Sequence, residues 1–235
     1  LHAGKLHFIF GNPNAIELGV RQTDMNLNRA FRAEHDLRAE EIRSYERKRA
    51  LTIMPFLQES EALLDLHSSK TPKSIPFVIC EQQTFELAKQ LPVNIRSYGW
   101  DAIEPGGADY FMNQSGGLGA CVECGYHEDP EVERFAEKAI MAFLHFFGTL
   151  EGKAATKKKQ REIFAHTLYK TNVNFHPAHS FEDFQNISPN ELLGHDGDSP
   201  VYSPNEKNNC IIFCREKNSP GEEAFILGRE TATQT

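Results

Sequence analysis

Ala62-Leu-Leu-Asp-Leu-His-Ser-Ser69 is a short, mostly apolar run that ends in polar residues, and the same design recurs along the chain. It returns at Phe77-Val-Ile-Cys80 before Glu81, at Gly119-Ala-Cys-Val122 before Glu123, and at His7-Phe-Ile-Phe10 before Gly11-Asn12-Pro13. Runs this short suit strands buried on both faces of a mainly parallel sheet. Between them lie helical patterns. Leu37, Ile42, Tyr45, Ala50 and Ile53 share one face, which predicts a helix over 37–57 with a break near Pro55. Asp129 followed by Pro130, Glu131 and Glu133 marks a helix start, and Val132, Phe135, Ala139, Ile140, Phe143 and Phe147 form a stripe running to Gly148. Alternating strands and helices predict an α/β fold built on a mixed, mainly parallel sheet flanked by helices.

After Gly148 the pattern changes. Residues 149–161 are poor in apolar side chains and include Lys157, Lys158 and Lys159, which reads as a solvated linker in an acidic protein. Beyond it, 163–173, 201–202, 210–213 and 224–227 are short β-prone runs divided by Gly, Pro, Asn and Asp. These predict two units, a catalytic α/β domain over 1–150 and a small β-rich domain over 160–235.

With 235 residues the chain can bury a substantial core. Its net charge of −8 argues against nucleic acid or an anionic membrane as the main partner. The longest apolar stretch, near 139–147, falls well short of the roughly twenty residues of a bilayer span. Five cysteines in a chain of this size read as reduced thiols, which points to the cytoplasm. Cys121 with Cys124 and Cys210 with Cys214 have metal-like spacing, but residues two or three apart on a strand do not converge on one ion. His176 and His179 form a further metal-like pair without a well-spaced acidic partner.

In open α/β sheets ligands sit at the carboxyl ends of the strands, which here carry Asn12, His67 and Glu123. Three groups of residues could carry chemistry. Arg21, Asn28 and Arg29 combine guanidinium forks with an amide that donates and accepts, a set suited to gripping an amino-acid-like anion. His67, two residues after Asp65 on the same strand face, can turn one ring nitrogen to a metal while a carboxylate holds the other. Glu123, ahead of Cys124-Gly-Tyr-His127, can act as a general base on a water. Each group also has an ordinary structural reading, as a surface ion pair, a core histidine or a capping acid. His127 can either line the pocket or bond a carbonyl at the start of the next helix.

Taken in order, Asn28-Arg29, Asp65-Leu-His67-Ser and Val122-Glu123-Cys-Gly-Tyr-His resemble the succinylglutamate desuccinylase/aspartoacylase family of zinc hydrolases, relatives of the zinc carboxypeptidases. Gly11-Asn-Pro-Asn-Ala15 and Gly221-Glu-Glu-Ala-Phe225 extend the resemblance over nearly the whole chain. It implies a zinc-carboxypeptidase-like domain with a small β domain shaping the pocket, and one zinc ion with His67 as its third ligand. It also implies Glu123 as the catalytic carboxylate, and Arg21, Asn28 and Arg29 as the substrate-binding group. The implied reaction is hydrolysis of a small N-acyl amino acid, Glu123 taking a proton from the attacking water and delivering it to the leaving amine. Metallocarboxypeptidase action on peptide C-termini, and a non-catalytic carboxylate-binding module with a degenerate metal site, are the alternative readings. A homo-oligomer is compatible with any of them.

The family's other two zinc ligands come from a His-x-x-Glu motif upstream of the Gly-Asn-Pro turn, and this sequence does not contain it. The expectation is a native N-terminus that precedes Leu1, or else a degenerate site. Asn113 stands where aspartoacylases carry arginine, Phe225 where they carry tyrosine, and Asn26 where the family usually has aspartate. Loss of a cation and a hydroxyl points away from N-acetylaspartate as substrate.

Overall fold

A computed structural model describes residues 4–71, 74–151 and 159–231. Its strands are β1 (Ala62–Ser69), β2 (Phe77–Cys80), β3 (Ile95–Tyr98), β4 (Leu118–Tyr126), β5 (Arg161–Lys170), β6 (Phe175–Pro177), β7 (Gln185–Ile187), β8 (Leu192–Asp196), β9 (Ser199–Tyr202), β10 (Asn209–Ile212) and β11 (Glu223–Thr231). Its α-helices are α1 (Pro13–Leu18), α2 (Ala39–Arg43), α3 (Tyr45–Gln58), α4 (Phe85–Ala88), α5 (Trp100–Ile103), α6 (Ala108–Gln114) and α7 (Val132–Phe146).

The expected α/β architecture is present. Eight strands form one mixed sheet in the order β1-β4-β2-β3-β5-β11-β10-β7, and β6-β8-β9 form a smaller antiparallel sheet. Pairs β1–β4, β2–β3 and β3–β5 are parallel, β4–β2 is antiparallel, and the strands beyond β5 continue antiparallel. The large sheet therefore runs across the composition change near residue 150, because β5 pairs with β3 on one side and β11 on the other.

Side chains alternate across the sheet, as the two-residue strand period requires. Val78, Cys80, Val122 and Cys124 face one layer with Ala139 and Ala142 of α7, while Phe77, Ile79 and Cys121 face the other with Trp100, Ile163 and Cys210. Cys121 and Cys124 thus lie in different cores, and all five cysteines are free. A third cluster packs α3 and α6 over Met25, Phe31 and Leu37.

Three boundaries differ from expectation. The run His7–Phe10 is not a strand: it pairs with none of the described strands, Phe8 and Phe10 are 78% and 76% exposed, and Arg49 holds the carbonyls of Phe10 and Gly11. Apolar content alone does not make a strand without a neighbour to satisfy its backbone. The 37–57 helix breaks at Ser44 instead of Pro55, since the extended Ser44 accepts a hydrogen bond from Arg47 N and caps α3, which carries Pro55 through to Gln58. The stripe after Asp129 becomes helical at Val132, Asp129 receiving the Glu131 N–H in the turn before it. Of the three lysines, Lys157 and Lys158 lie outside the described residues.

Candidate functional site

Parallel pairing of β1 with β4 sets Asp65 opposite Cys121 and His67 opposite Glu123. With a period of two, all four side chains share one face of the sheet. The His67 ring lies between two carboxylates: Nε2 is 3.2 Å from Asp65 Oδ2, and Nδ1 is 3.7 Å from Glu123 Oε1. Asn28 Nδ2 lies 3.4 Å from the same Nε2. The strands run past the residues expected at their ends, so Glu123 lies within β4 and is only 9% exposed.

Glu123 is held unusually. Its Oε2 is buried and has no hydrogen-bond partner, an arrangement that costs free energy in a merely structural carboxylate. Burial raises its pKa above the ordinary carboxylate value, with His67 and Arg21 pulling the other way. For Cys121, burial pushes the thiol pKa up, with His67 pulling the other way.

The segment bearing Arg21, Asn28 and Arg29 reaches this face from the other side. Asn26 accepts from Asn28 N and starts a short 3-10 turn over Leu27–Arg29. Gly106 backs onto that turn at φ 110°, where an added Cβ would meet the Arg29 Cα at 3.0 Å and the Arg32 Cγ at 2.8 Å. The Gly106 carbonyl accepts Phe31 N, so a residue without a side chain lets the two backbones touch.

Arg21, Asn28, Arg29, His67 and Glu123 all line one cavity of about 790 Å³, a volume ordinary for a small-molecule site. The structure therefore brings these five residues to one cavity. Arg29 is not free there. Its Nη2 contacts both Glu104 and Glu223, the latter at 2.8 Å, and its Nη1 donates to the Asn28 carbonyl at 2.9 Å. Glu104 was invisible in the sequence because only the fold carries it to Arg29. Glu223 sits in the Gly221–Phe225 motif without having shown its partner.

Phe225 is buried and stacked on Tyr169, with ring centroids 4.8 Å apart. Asn113 turns to Asp101 and to Gly119 N. His127 bonds Ser68 at 2.6 Å. His176 and His179 are exposed, and His179 approaches Glu191.

Among the described residues, Asp65, His67 and Cys121 place three ligand atoms within 4.8 Å of one another. Carboxylate, imidazole and sulfur are donors that zinc takes, so the residues present fit such an ion by type. The set is atypical, having an aspartate and a cysteine where a His-x-x-Glu pair was expected.

The catalytic-domain profile of the succinylglutamate desuccinylase/aspartoacylase family matches residues 1–147. The chain belongs to this family. By overall fold, succinylglutamate desuccinylase from Vibrio cholerae is similar, with a TM-score of 0.77 at 18% identity over 97% of this chain and 71% of that one. The enzyme of the same name from Chromobacterium violaceum gives 0.70 at 17% over 97% and 73%. The product-bound ectoine utilization protein EutE from Ruegeria pomeroyi gives 0.69 at 18% over 93% and 73%. At these identities the likeness is one of fold. No curated protein matches the sequence. A desuccinylase/aspartoacylase fold thus carries, in this chain, a His67–Glu123 pair beside an atypical donor set. No helix among the described residues is long and apolar enough to cross a membrane.

Proposed function

We propose that this member of the desuccinylase/aspartoacylase family is a zinc-dependent amidohydrolase that removes the acyl group from a small N-acyl amino acid. The observation that carries the reading is Glu123: a buried carboxyl group at the cavity, its Oε2 without a hydrogen-bond partner, beside an imidazole between two carboxylates. His67, with Asp65 and Cys121, would hold the ion, which when bound supplies an electrophile for the amide carbonyl and acidifies water. Glu123 accepts a proton from the attacking water, its basicity raised by burial, and returns it to the amine as the C–N bond breaks. Asn28, with its amide 3.4 Å from Nε2, helps keep the imidazole in place. Arg21 lines the same cavity and its charge reaches Glu123, so it is placed to anchor a substrate carboxylate.

The test is hydrolysis of short N-acyl amino acids by zinc-supplied protein, with and without Glu123→Ala. The substitution is expected to lower turnover by roughly 10²- to 10⁴-fold and to leave metal content unchanged. Wild-type turnover in the variant would end the role given to Glu123. Faster cleavage of peptide C-termini than of N-acyl amino acids would favour the carboxypeptidase reading. Carboxylate binding indifferent to chelators, without turnover, would favour the binding module.

A further inference from the structure

One wall of the cavity is aromatic and rests on strained backbone. Phe184, just before β7, and Phe213, just after β10, hold φ at 61° and 53°, a left-handed region that bulky side chains rarely occupy. Strain of this kind persists only where the surroundings impose it, and it gathers at ligand-binding sites. Here Asp183 and β10 impose it. Asp183 accepts the Phe213 N–H at 2.8 Å and the Ser74 hydroxyl at 2.9 Å, while the Phe184 N–H donates to the Ile211 carbonyl at 2.9 Å. Both rings pack on Phe77, with centroids 4.8 Å away for Phe184 and 5.6 Å for Phe213. Phe184 is buried in the core, whereas Phe213 is half-buried and lines the cavity together with Trp100 and Ile79.

This wall adjoins Glu123. In the large sheet β4 lies between β1 and β2. His67 stands opposite Glu123 on the β1 side, and Phe77 stands opposite it on the β2 side, all three on one face. Asn28 and its segment reach the His67 side, so the amino-acid end of a substrate belongs there and the acyl group meets the aromatic wall. Asp183 also lines the cavity, and among the described residues it has no ion-pair partner. A carboxylate at the far end of the acyl group would therefore approach an acidic side chain that no cation offsets.

Resting on the hydrolase reading above, we propose that Phe213 is a specificity-determining residue and that the acyl group of the substrate is an uncharged hydrocarbon chain longer than acetyl. Its methylenes lie against Phe213 and Trp100, where leaving water favours binding. The wall discriminates against succinyl, which matches butanoyl in length but ends in a charge.

The test uses the Nα-acetyl, Nα-butanoyl and Nα-succinyl derivatives of L-alanine. Their hydrolysis by zinc-supplied protein is measured in parallel with their calorimetric titration into the Glu123→Ala protein, which binds without turnover under the hydrolase reading. The butanoyl compound is expected to bind about tenfold more tightly than the acetyl compound, the worth of two buried methylenes, and about tenfold more tightly than the succinyl compound. Phe213→Gly suits the left-handed backbone while removing the ring, and should reduce the butanoyl advantage over acetyl to about threefold or less. Succinyl binding as tightly as butanoyl, an advantage untouched in Phe213→Gly, or no binding of any of the three would overturn the proposal. The ranking with Phe213 in place decides the matter even if the glycine variant does not fold. Preferred hydrolysis of the succinyl compound would overturn the specificity and leave the hydrolase standing. Preferred butanoyl binding without hydrolysis of any derivative would support the apolar subsite and end the hydrolase reading.

Discussion

Glu46 is fully buried, and its carboxylate accepts from Asn12 Nδ2, from the backbone and hydroxyl of Thr23, and from the backbone of Asp24 and Met25. It ties the Gly11-Asn12-Pro13 turn to the segment that leads through Arg21 to Arg29. Burial alone would raise its pKa, yet these donors bring it down to about 2. A carboxylate depressed in the folded state stabilises most above its unfolded pKa, and that contribution is lost as pH falls through the folded value. Glu46→Gln sets an amide against N–H donors and should cost on the order of 3 kcal/mol near neutral pH. Urea unfolding of both proteins should show the gap closing as pH drops from about 4.5 towards 2; a gap independent of pH would refute the charge argument. Asn28, Arg29, His67 and Glu123 were legible as residues because their order along the chain follows a family pattern. Glu46 and Glu104 were not, since a buried acid and a surface acid look alike until their donors are known.

Elements place the chemistry through register. His67 meets Glu123 because β1 and β4 are parallel and in step from Ala62 and Leu118 onward. A slip of β1 by one residue would turn the His67 side chain to the α7 layer while Glu123 kept its face. Helix boundaries were read less well, because capping at Ser44 depends on one hydrogen bond that outweighs the more conspicuous Pro55. In the small sheet Asp196, the last residue of β8, fixes the turn after β5. It accepts from Thr171 Oγ1 at 2.6 Å, from the backbones of Asn172, Val173 and Asn174, and from Tyr169 Oη at 3.1 Å. Asp196→Ala leaves these donors short of an acceptor and should cost roughly 2–4 kcal/mol, read as a lowered melting temperature. Tyr169 stacks on Phe225 at the cavity, so substrate affinity should weaken along with stability. An unchanged melting temperature would show that solvent replaces the carboxylate at no loss.

For the whole molecule the decisive feature is the continuous sheet. Residues on either side of the 150 region pair directly, β3 with β5 and β5 with β11, and one core joins Phe77 and Cys121 to Phe184, Cys210 and Ile226. Calorimetry should therefore give a single unfolding transition, since neither half can open without exposing the shared core. Two separated transitions would mean that the halves fold independently. The amino-acid sequence by itself determined the α/β class and most strand positions, and it marked His67, Glu123, Arg21 and Arg29 as candidates for one site, because local periodicity and residue order along the chain encode these. Only the tertiary structure decided that Arg29 is already paired with Glu104 and Glu223, that Cys121 joins Asp65 beside His67, and that one sheet spans both compositional halves. Those depend on contacts between residues far apart in the chain, where distance and burial set the energies and spacing along the sequence carries no signal.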